Sequence, residues 1–539
     1  MSNLKIPELP LDCILEILNF LKDDKNSLVS CVLSNRTWCQ LTIPILWYKP
    51  FEHLLYREKG AKLIQTYVSL LADSEKQQLT NAGIKIPITA RPLFNYAQFL
   101  REFDIDHFQM AVQDWHWMLI KENPSAVILT PFRTRLVGNL IFSHCSGLYY
   151  LKINTANSKL IDVTSWADAQ LALTSLQKIE VHFDTGLEEL CEDTISSSFD
   201  FLSSSTKSIK QILIGISIDT TVNEVLPTAG FALSKMIEAQ NHIESFETNE
   251  FWGPQPALMI YQSLRSQTFS LTFLRIKHMS SIDLLLPVLI ACINLETLSL
   301  DVIEDPKNIN FKNFKIPSTP LKLKNIHCWG NYETYGTLEV IKILLKMTNH
   351  NLKTLKVKVV TQSFINTIIK YCPNIINLSL VVTNNELPNL VILLSSLNYL
   401  THFSLGNFIY HDTTTIIPNT RFLVSQFNQK IAKSLPSTLE YLAIDFCITL
   451  EDWKLFLSDS KSKLRELVLY QSELIQDSYL DIIVNYAQVF GWLKVLKYQQ
   501  PHPWYSPGFS VKALKNAKKF IPVIEKAQPF EEPVYENNL

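Results

Sequence analysis

One six-residue phrase, L-x-x-L-x-L with Ile, Val or Phe standing in for Leu, keeps returning along the 539-residue chain. A recurring phrase constrains a fold more than composition can, because every copy must solve the same burial problem. It is clearest in LETLSL (Leu295, Leu298, Leu300), LKTLKV (Leu352, Leu355, Val357), IINLSL (Ile375, Leu378, Leu380), LEYLAI (Leu439, Leu442, Ile444) and LRELVL (Leu464, Leu467, Leu469). Weaker copies centre on Leu151, Ile179, Ile212, Phe246, Leu274, Ile326, Phe403 and Leu496.

The Leu-x-Leu pair has the period of two that puts both side chains on one face of a strand; on a helix it would spread around the axis, which argues against an all-helical array. Between the copies lie helix-patterned stretches such as TLEVIKILLKM and FINTIIKYC. A lone strand–helix unit cannot cover its apolar face, so neighbours must stack into one core. The mean spacing of about 29 residues falls at the upper end of the leucine-rich-repeat period. The expected fold is α/β: a leucine-rich-repeat solenoid, a horseshoe with a concave parallel sheet and convex helices, over residues 131–500. The longer gap between Phe403 and Leu442 predicts an inserted loop around HDTTTIIPNT. Residues 52–130 read as a helical linker that becomes the N-terminal cap of the array, with Leu100, Phe103 and Ile105 alternating like the start of a first strand and His116 inside a core or cap helix. Pro501, Pro503 and Pro507 mark a boundary to a loose tail over 501–539.

Residues flanking the inward Leu of each strand must point to the opposite face. These include Thr297, Ser299 and Asp301; Asn325, His327 and Trp329; Lys356 and Lys358; Tyr441 and Asp445; Glu466 and Tyr470. Aromatics among charges of both signs suit a protein-binding surface. His327, Trp329, Lys356, Lys358, Tyr441, Asp445, Glu466 and Tyr470 are therefore the candidate substrate-binding residues.

The first fifty residues follow a different pattern. Ile14, Ile17, Leu18 and Leu21 fall on one helical face behind Pro10, which suits a first turn. Asp23, Asp24 and Asn26 cap a stop and restart, a second helix carries Leu28, Val29 and Val32, and a third opens near Ser34 or Asn35 and is expected to halt at Pro44, leaving Ile45, Leu46 and Trp47 as an apolar plug. So small a unit has a marginal core and gains by docking its remaining apolar surface.

Residues 1–51 resemble the F-box, with Leu9 and Pro10 at the Leu-Pro start, Ile14, Ile17 and Leu18 on the first helix, Leu28 and Val32 in the following stretch, Arg36 near Trp38, and Leu46 with Trp47 at the end. The departure is a single basic residue, Arg36, where many members carry two or three. The resemblance implies binding to a Skp-family adaptor, and through it to a cullin scaffold with its RING subunit, while the repeats hold a protein substrate. Under it, Leu9, Pro10, Ile14, Ile17, Leu18, Leu28, Val32, Trp38, Leu46 and Trp47 are the adaptor-binding candidates. The alternative is a repeat scaffold acting outside a ubiquitin ligase.

Composition removes other classes. Lys plus Arg number 49 against 51 for Asp plus Glu, so no net field draws the chain to nucleic acid or anionic membrane. The apolar run at 284–292 is broken by Pro287 and is far shorter than the roughly 20 residues that span a bilayer. The N-terminus lacks a signal-peptide pattern, and the nine cysteines are scattered without metal-ligand spacing, so a cytoplasmic or nuclear protein with reduced thiols and no metal is expected. No phosphate loop, G-x-S-x-G or H-E-x-x-H motif is present, and the His144-Cys145 and His327-Cys328 neighbours read as chance, so neither catalysis nor a cofactor is expected.

Overall fold

The computed structural model describes residues 9–52, 57–81, 92–122, 130–154, 163–184, 192–217, 227–249, 254–279, 282–302, 319–330, 335–382, 386–407, 425–446, 448–470, 474–499 and 508–527. The chain divides into two compact units, Met1–Leu271 and Thr272–Leu539.

The first unit begins with helices α1 (Leu11–Phe20), α2 (Lys25–Ser34) and α3 (Arg36–Leu46). Local side chains set their boundaries. The Asp24 carboxylate accepts the Asn26 and Ser27 amides at the start of α2, and Asn35, in extended backbone, accepts the Trp38 amide at the start of α3. Pro44 does not halt α3 as expected: it sits in the last turn, where it removes one hydrogen bond, and the Trp47 amide closes the helix on the Ile43 carbonyl. Ile14, Leu18 and Leu28 form the buried centre of this module, with Leu21, Cys31, Trp38, Leu41, Ile45 and Leu46 packed around them.

Helices α4 (Arg57–Ser69), α5 (Asp73–Asn81), α6 (Ile105–Glu122) and α7 (Thr130–His144) follow, with strand β1 (Glu102–Asp104) preceding α6, so the first strand forms where the Leu100-Phe103-Ile105 alternation predicts it. Along α6 Trp115 is buried, Trp117 is exposed and His116 contacts Arg133 of α7, as a packed helix requires. Strands β2 (Tyr150–Asn154), β3 (Lys178–Asp184), β4 (Gln211–Ser217) and β5 (Ser245–Asn249) join β1 in chain order, each pair parallel, with helices α8 (Ala169–Leu173), α9 (Glu192–Ser205), α10 (Pro227–Ala239) and α11 (Pro254–Ser263) alternating with them.

The second unit repeats the alternation: β6 (Phe273–Met279), α12 (Ile282–Ala291), β7 (Thr297–Val302), β8 (Asn325–Gly330), α13 (Tyr335–Met347), β9 (Thr354–Val359), α14 (Gln362–Tyr371), β10 (Asn377–Val382), α15 (Leu387–Ser396) and β11 (His402–Asn407). It continues through α16 (Ser425–Ser434), β12 (Tyr441–Asp445), α17 (Leu450–Asp459), β13 (Glu466–Leu469), α18 (Asp477–Phe490), β14 (Val495–Tyr498), α19 (Val511–Ala517) and β15 (Val523–Lys526). Strands again pair in parallel and in chain order, and the sheet is not closed on itself, an arrangement compatible with a solenoid. The expected tail is corrected here, since β15 adds to β14 with Leu496 opposite Ile524. The predicted loop at 411–420 lies outside the described residues.

Register explains the spacing. The centre of every copy is the second residue of a strand, and within each unit it faces its counterpart on the next: Leu151 opposite Ile179, and Leu298 opposite Ile326, for instance. All are buried in the layer between sheet and helices. At most strand starts the carbonyl of the residue just before the preceding strand accepts two successive amides, as Thr401 does from Glu440 and Tyr441. Buried glutamines satisfy the backbone between helix and strand: Gln267 accepts the Ile243 amide and donates to the Ile237 and Gln240 carbonyls. At Gly138 of α7 packing is so close that a Cβ would lie 2.7 Å from the Trp166 ring.

Candidate interaction surfaces

Two surfaces carry the residues singled out by sequence. The first is the outside of the N-terminal module. Leu18 is fully buried (0% exposed), and Ile14 and Leu28 are buried with it, so these three expected adaptor contacts instead form the module's own centre. The physical reason is that three short helices must bury one apolar stripe each before any is left for a partner. Trp38 and Leu46 pack around that centre, and Val32 is half-buried. The side chains that do face outward are Leu9, Leu11, Leu15, Val29, Leu33 and, at 84% exposure, Phe20; Ile17 and Pro10 are exposed beside them. Sequence reasoning missed Leu11, Leu15, Phe20 and Leu33, although α1 is apolar around most of its circumference.

Trp47, also expected at a partner surface, is used inside the chain. Its indole stacks on Tyr96 with centroids 4.0 Å apart and meets Tyr67 edge-on at 5.5 Å. From Tyr67 the ring contacts continue through Phe51, Phe103 and Phe142 to Trp166. The Tyr48 carbonyl accepts both the Arg101 and Glu102 amides, at 3.0 Å each, the same two-amide bond that links most of the strand starts. The module is thus seated on β1 as a strand would be.

The second surface is the sheet face opposite the helices. In the second unit, Tyr441 on β12 stacks on His402 of β11 at 5.4 Å, and its hydroxyl is hydrogen-bonded to Ser404 and Tyr470. Burial and the neighbouring Tyr470 and Glu466 hold the phenol protonated well above its usual range. Glu466 on β13 pairs with Lys497 at 3.0 Å, and Lys497 with Glu525 at 3.3 Å. Asp445 ends β12 and raises the Tyr470 phenol further after burial has done so. These four candidates form one half-buried cluster on two adjacent strands.

His327, Lys356 and Lys358 lie apart from that cluster, on β8 and β9, with β10 and β11 between. His327 is only 6% exposed and is therefore no free hot spot; burial, then the Lys356 and Arg275 charges, push its pKa down to about 3 and keep it neutral. Burial also lowers the pKa of Lys356, a half-buried ammonium. Trp329 stands on β8 opposite Asp301 of β7, and its side chain lies outside the described residues. Arg275 and Lys277 of β6, on the same face, were missed, though alternation around Leu274 marks them as well.

The first unit has a polar network on its own strand face. Glu180 accepts the Tyr150 hydroxyl at 2.6 Å and sits 2.7 Å from His182 Nε2 and 3.1 Å from Lys152 Nζ. Burial raises this carboxyl, but the His182 and Tyr150 hydrogen bonds and the Lys152 charge outweigh it and bring it down to about 2. Gly215 leaves space for the imidazole, since a Cβ there would be 2.5 Å from His182 Nδ1. Among the described residues, no group of three or more His, Cys, Asp or Glu is placed to hold a metal ion, and no helix is long and apolar enough to cross a membrane. No family model matches the chain, and no curated protein matches it either.

Proposed function

We propose that this protein is the substrate-recognition subunit of a cullin-type ubiquitin ligase, an F-box protein whose leucine-rich repeats hold the target and which performs no covalent chemistry itself. The observation that carries this reading is the N-terminal three-helix module: it completes its own core and still presents Leu11, Leu15, Phe20, Val29 and Leu33 to solvent. Exposed apolar side chains at this density on so small a unit favour a docking surface over a cap. A Skp-family adaptor would bind there, joining the chain to cullin and RING subunit. The seating of Trp47 and Tyr48 on the first strand supports the same role, because it joins the module to the strand array of the first unit. The target would lie on the strand face, with the Tyr441–Tyr470 cluster as anchor.

Affinity purification of the full chain with mass spectrometry tests this. Adaptor and cullin should be recovered with the wild type and lost with a Leu15→Asp, Phe20→Asp double variant that keeps its helical circular dichroism. Failure to recover either from the wild type, or equal recovery from the folded variant, would make the chain a repeat scaffold working outside a ubiquitin ligase.

A further inference from the structure

Strands β13, β14 and β15 are each entered by a turn from the helix before, and the three turns lie side by side because the strands pair in register. The carbonyls of Arg465 and Lys494 tie each turn to the next by accepting the amides that open β14 and β15. The third residue before each strand is Lys463, Trp492 and Phe520 in turn. Neighbouring turns touch at this row, where the Lys463 ammonium lies 4.8 Å from the centre of the Trp492 ring. Gly491 caps α18 with φ at +68°, in the left-handed region, and the sharp exit leaves Phe490 and Trp492 exposed on either side of it. Val489 and Phe520 are exposed beside them.

The same turns are one-sided in charge. Lys461, Lys463, Lys494, Lys518 and Lys519 are exposed, and among the described residues none of them has a carboxylate within ion-pair distance. The acid at the end of α17, Asp459, is paired with Lys433, and Arg465 is answered by Glu440. Earlier strand starts of this unit carry such pairs too, as in Lys324–Glu296. The near balance of 49 basic and 51 acidic residues over the chain therefore hides a local excess of positive charge beside exposed apolar side chains.

We propose that these three turns are a docking surface for an anionic lipid bilayer. The lysines meet the negative headgroups, while the aromatic and aliphatic tips enter the boundary between headgroups and acyl chains, where tryptophan is enriched. The rings favour a bilayer over a nucleic acid. One face of the Trp492 indole carries the Lys463 ammonium, and the Phe490 ring is held 5.0 Å from that of Tyr486, so neither is a free platform for a stacked base. Val489 adds aliphatic surface that a hydrocarbon boundary rewards and a base does not.

The test is co-sedimentation of the full-length chain with phosphatidylcholine vesicles containing roughly a quarter phosphatidylserine, against vesicles of phosphatidylcholine alone. Binding to the anionic vesicles is expected to be at least about tenfold tighter and to weaken as salt is raised. It should fall about tenfold in a Val489→Ser, Trp492→Ser double variant, and again in Lys518→Glu, Lys519→Glu, with helical circular dichroism intact in both, and stay unchanged in Lys207→Glu of the first unit. No sedimentation of the folded wild type, equal binding to both vesicle types, or equal binding by the folded Val489→Ser, Trp492→Ser variant would each overturn the proposal. Retention of a single-stranded oligonucleotide or an acidic peptide, with the vesicles ignored, would assign the turns to another partner and overturn it as well. Because the probe is lipid alone, the result is independent of whether adaptor or cullin is ever recovered.

Discussion

The Trp47 indole lies parallel to the Tyr96 ring, with 4.0 Å between centroids and 23° between planes. This contact, together with the Tyr48 carbonyl bonds, ties the N-terminal module to the rest of the first unit. Trp47→Ala is expected to destabilise the chain by about 2 to 3 kcal/mol, less than for a fully buried ring. Limited proteolysis should then cut between α3 and α4 much faster than in the wild type. Unchanged cleavage would mean that the stack contributes nothing to the seating.

Neighbouring positions on α1 should behave in opposite ways. Leu18→Ala removes a buried side chain and should lower stability by about 2 to 5 kcal/mol, whereas Leu15→Ala should stay within about 0.5 kcal/mol. Adaptor recovery should respond in the reverse sense, falling with Leu15→Ala even though the fold is intact. Denaturant titration and co-purification on the same two variants read both effects.

Strand leucines should act on their neighbours as well as themselves. Leu298→Ala, Leu378→Ala and Leu467→Ala each open a cavity at a position shared by adjacent strands, with an expected loss of about 2 to 5 kcal/mol. Hydrogen exchange should quicken in the flanking strands too. Losses below about half a kcal/mol at all three would contradict a shared core.

His327 gives the second unit an acid sensitivity. Its folded pKa of about 3 is below the unfolded value near 6.5, so the unfolded chain takes up the proton first as pH falls. Its stabilising contribution is complete above pH 6.5 and is progressively lost between 6.5 and about 3. Between pH 6.5 and 5 that amounts to about 2 kcal/mol, which His327→Gln should abolish. Denaturation midpoints of wild type and variant at the two pH values measure it; parallel shifts would show that His327 is hydrated in the folded chain.

The strands were legible because their signal is doubled: period two within a copy and regular spacing between copies. Every centre named from sequence, from Leu151 to Leu496, lies at the second position of a strand. At β15 the signal fails because the segment VIEK has one inward residue, Ile524, which is itself only half-buried. The site residues were harder to read. Parity assigns Tyr441 or His327 to a face, but the size of side chains on adjacent strands decides how deep they sit, and that depends on residues 25 to 40 positions away, such as Lys356 or His402. On α1 the helical stripe of Ile14 and Leu18 was visible, yet periodicity alone does not say whether a stripe meets its own module or another protein.

The contact between Gly138 and Trp166 has a meaning for descent. With 2.7 Å between a would-be Cβ and the indole, the two positions form a single unit of inheritance. A lineage that gains a methyl at 138 must first, or at once, exchange the tryptophan for something smaller, and one that has lost the tryptophan is released from keeping glycine. Relatives of this chain should therefore carry a larger residue at 138 only where the tryptophan at 166 has been exchanged, which would make the pair a marker of common ancestry where the rest of the helix surface has drifted.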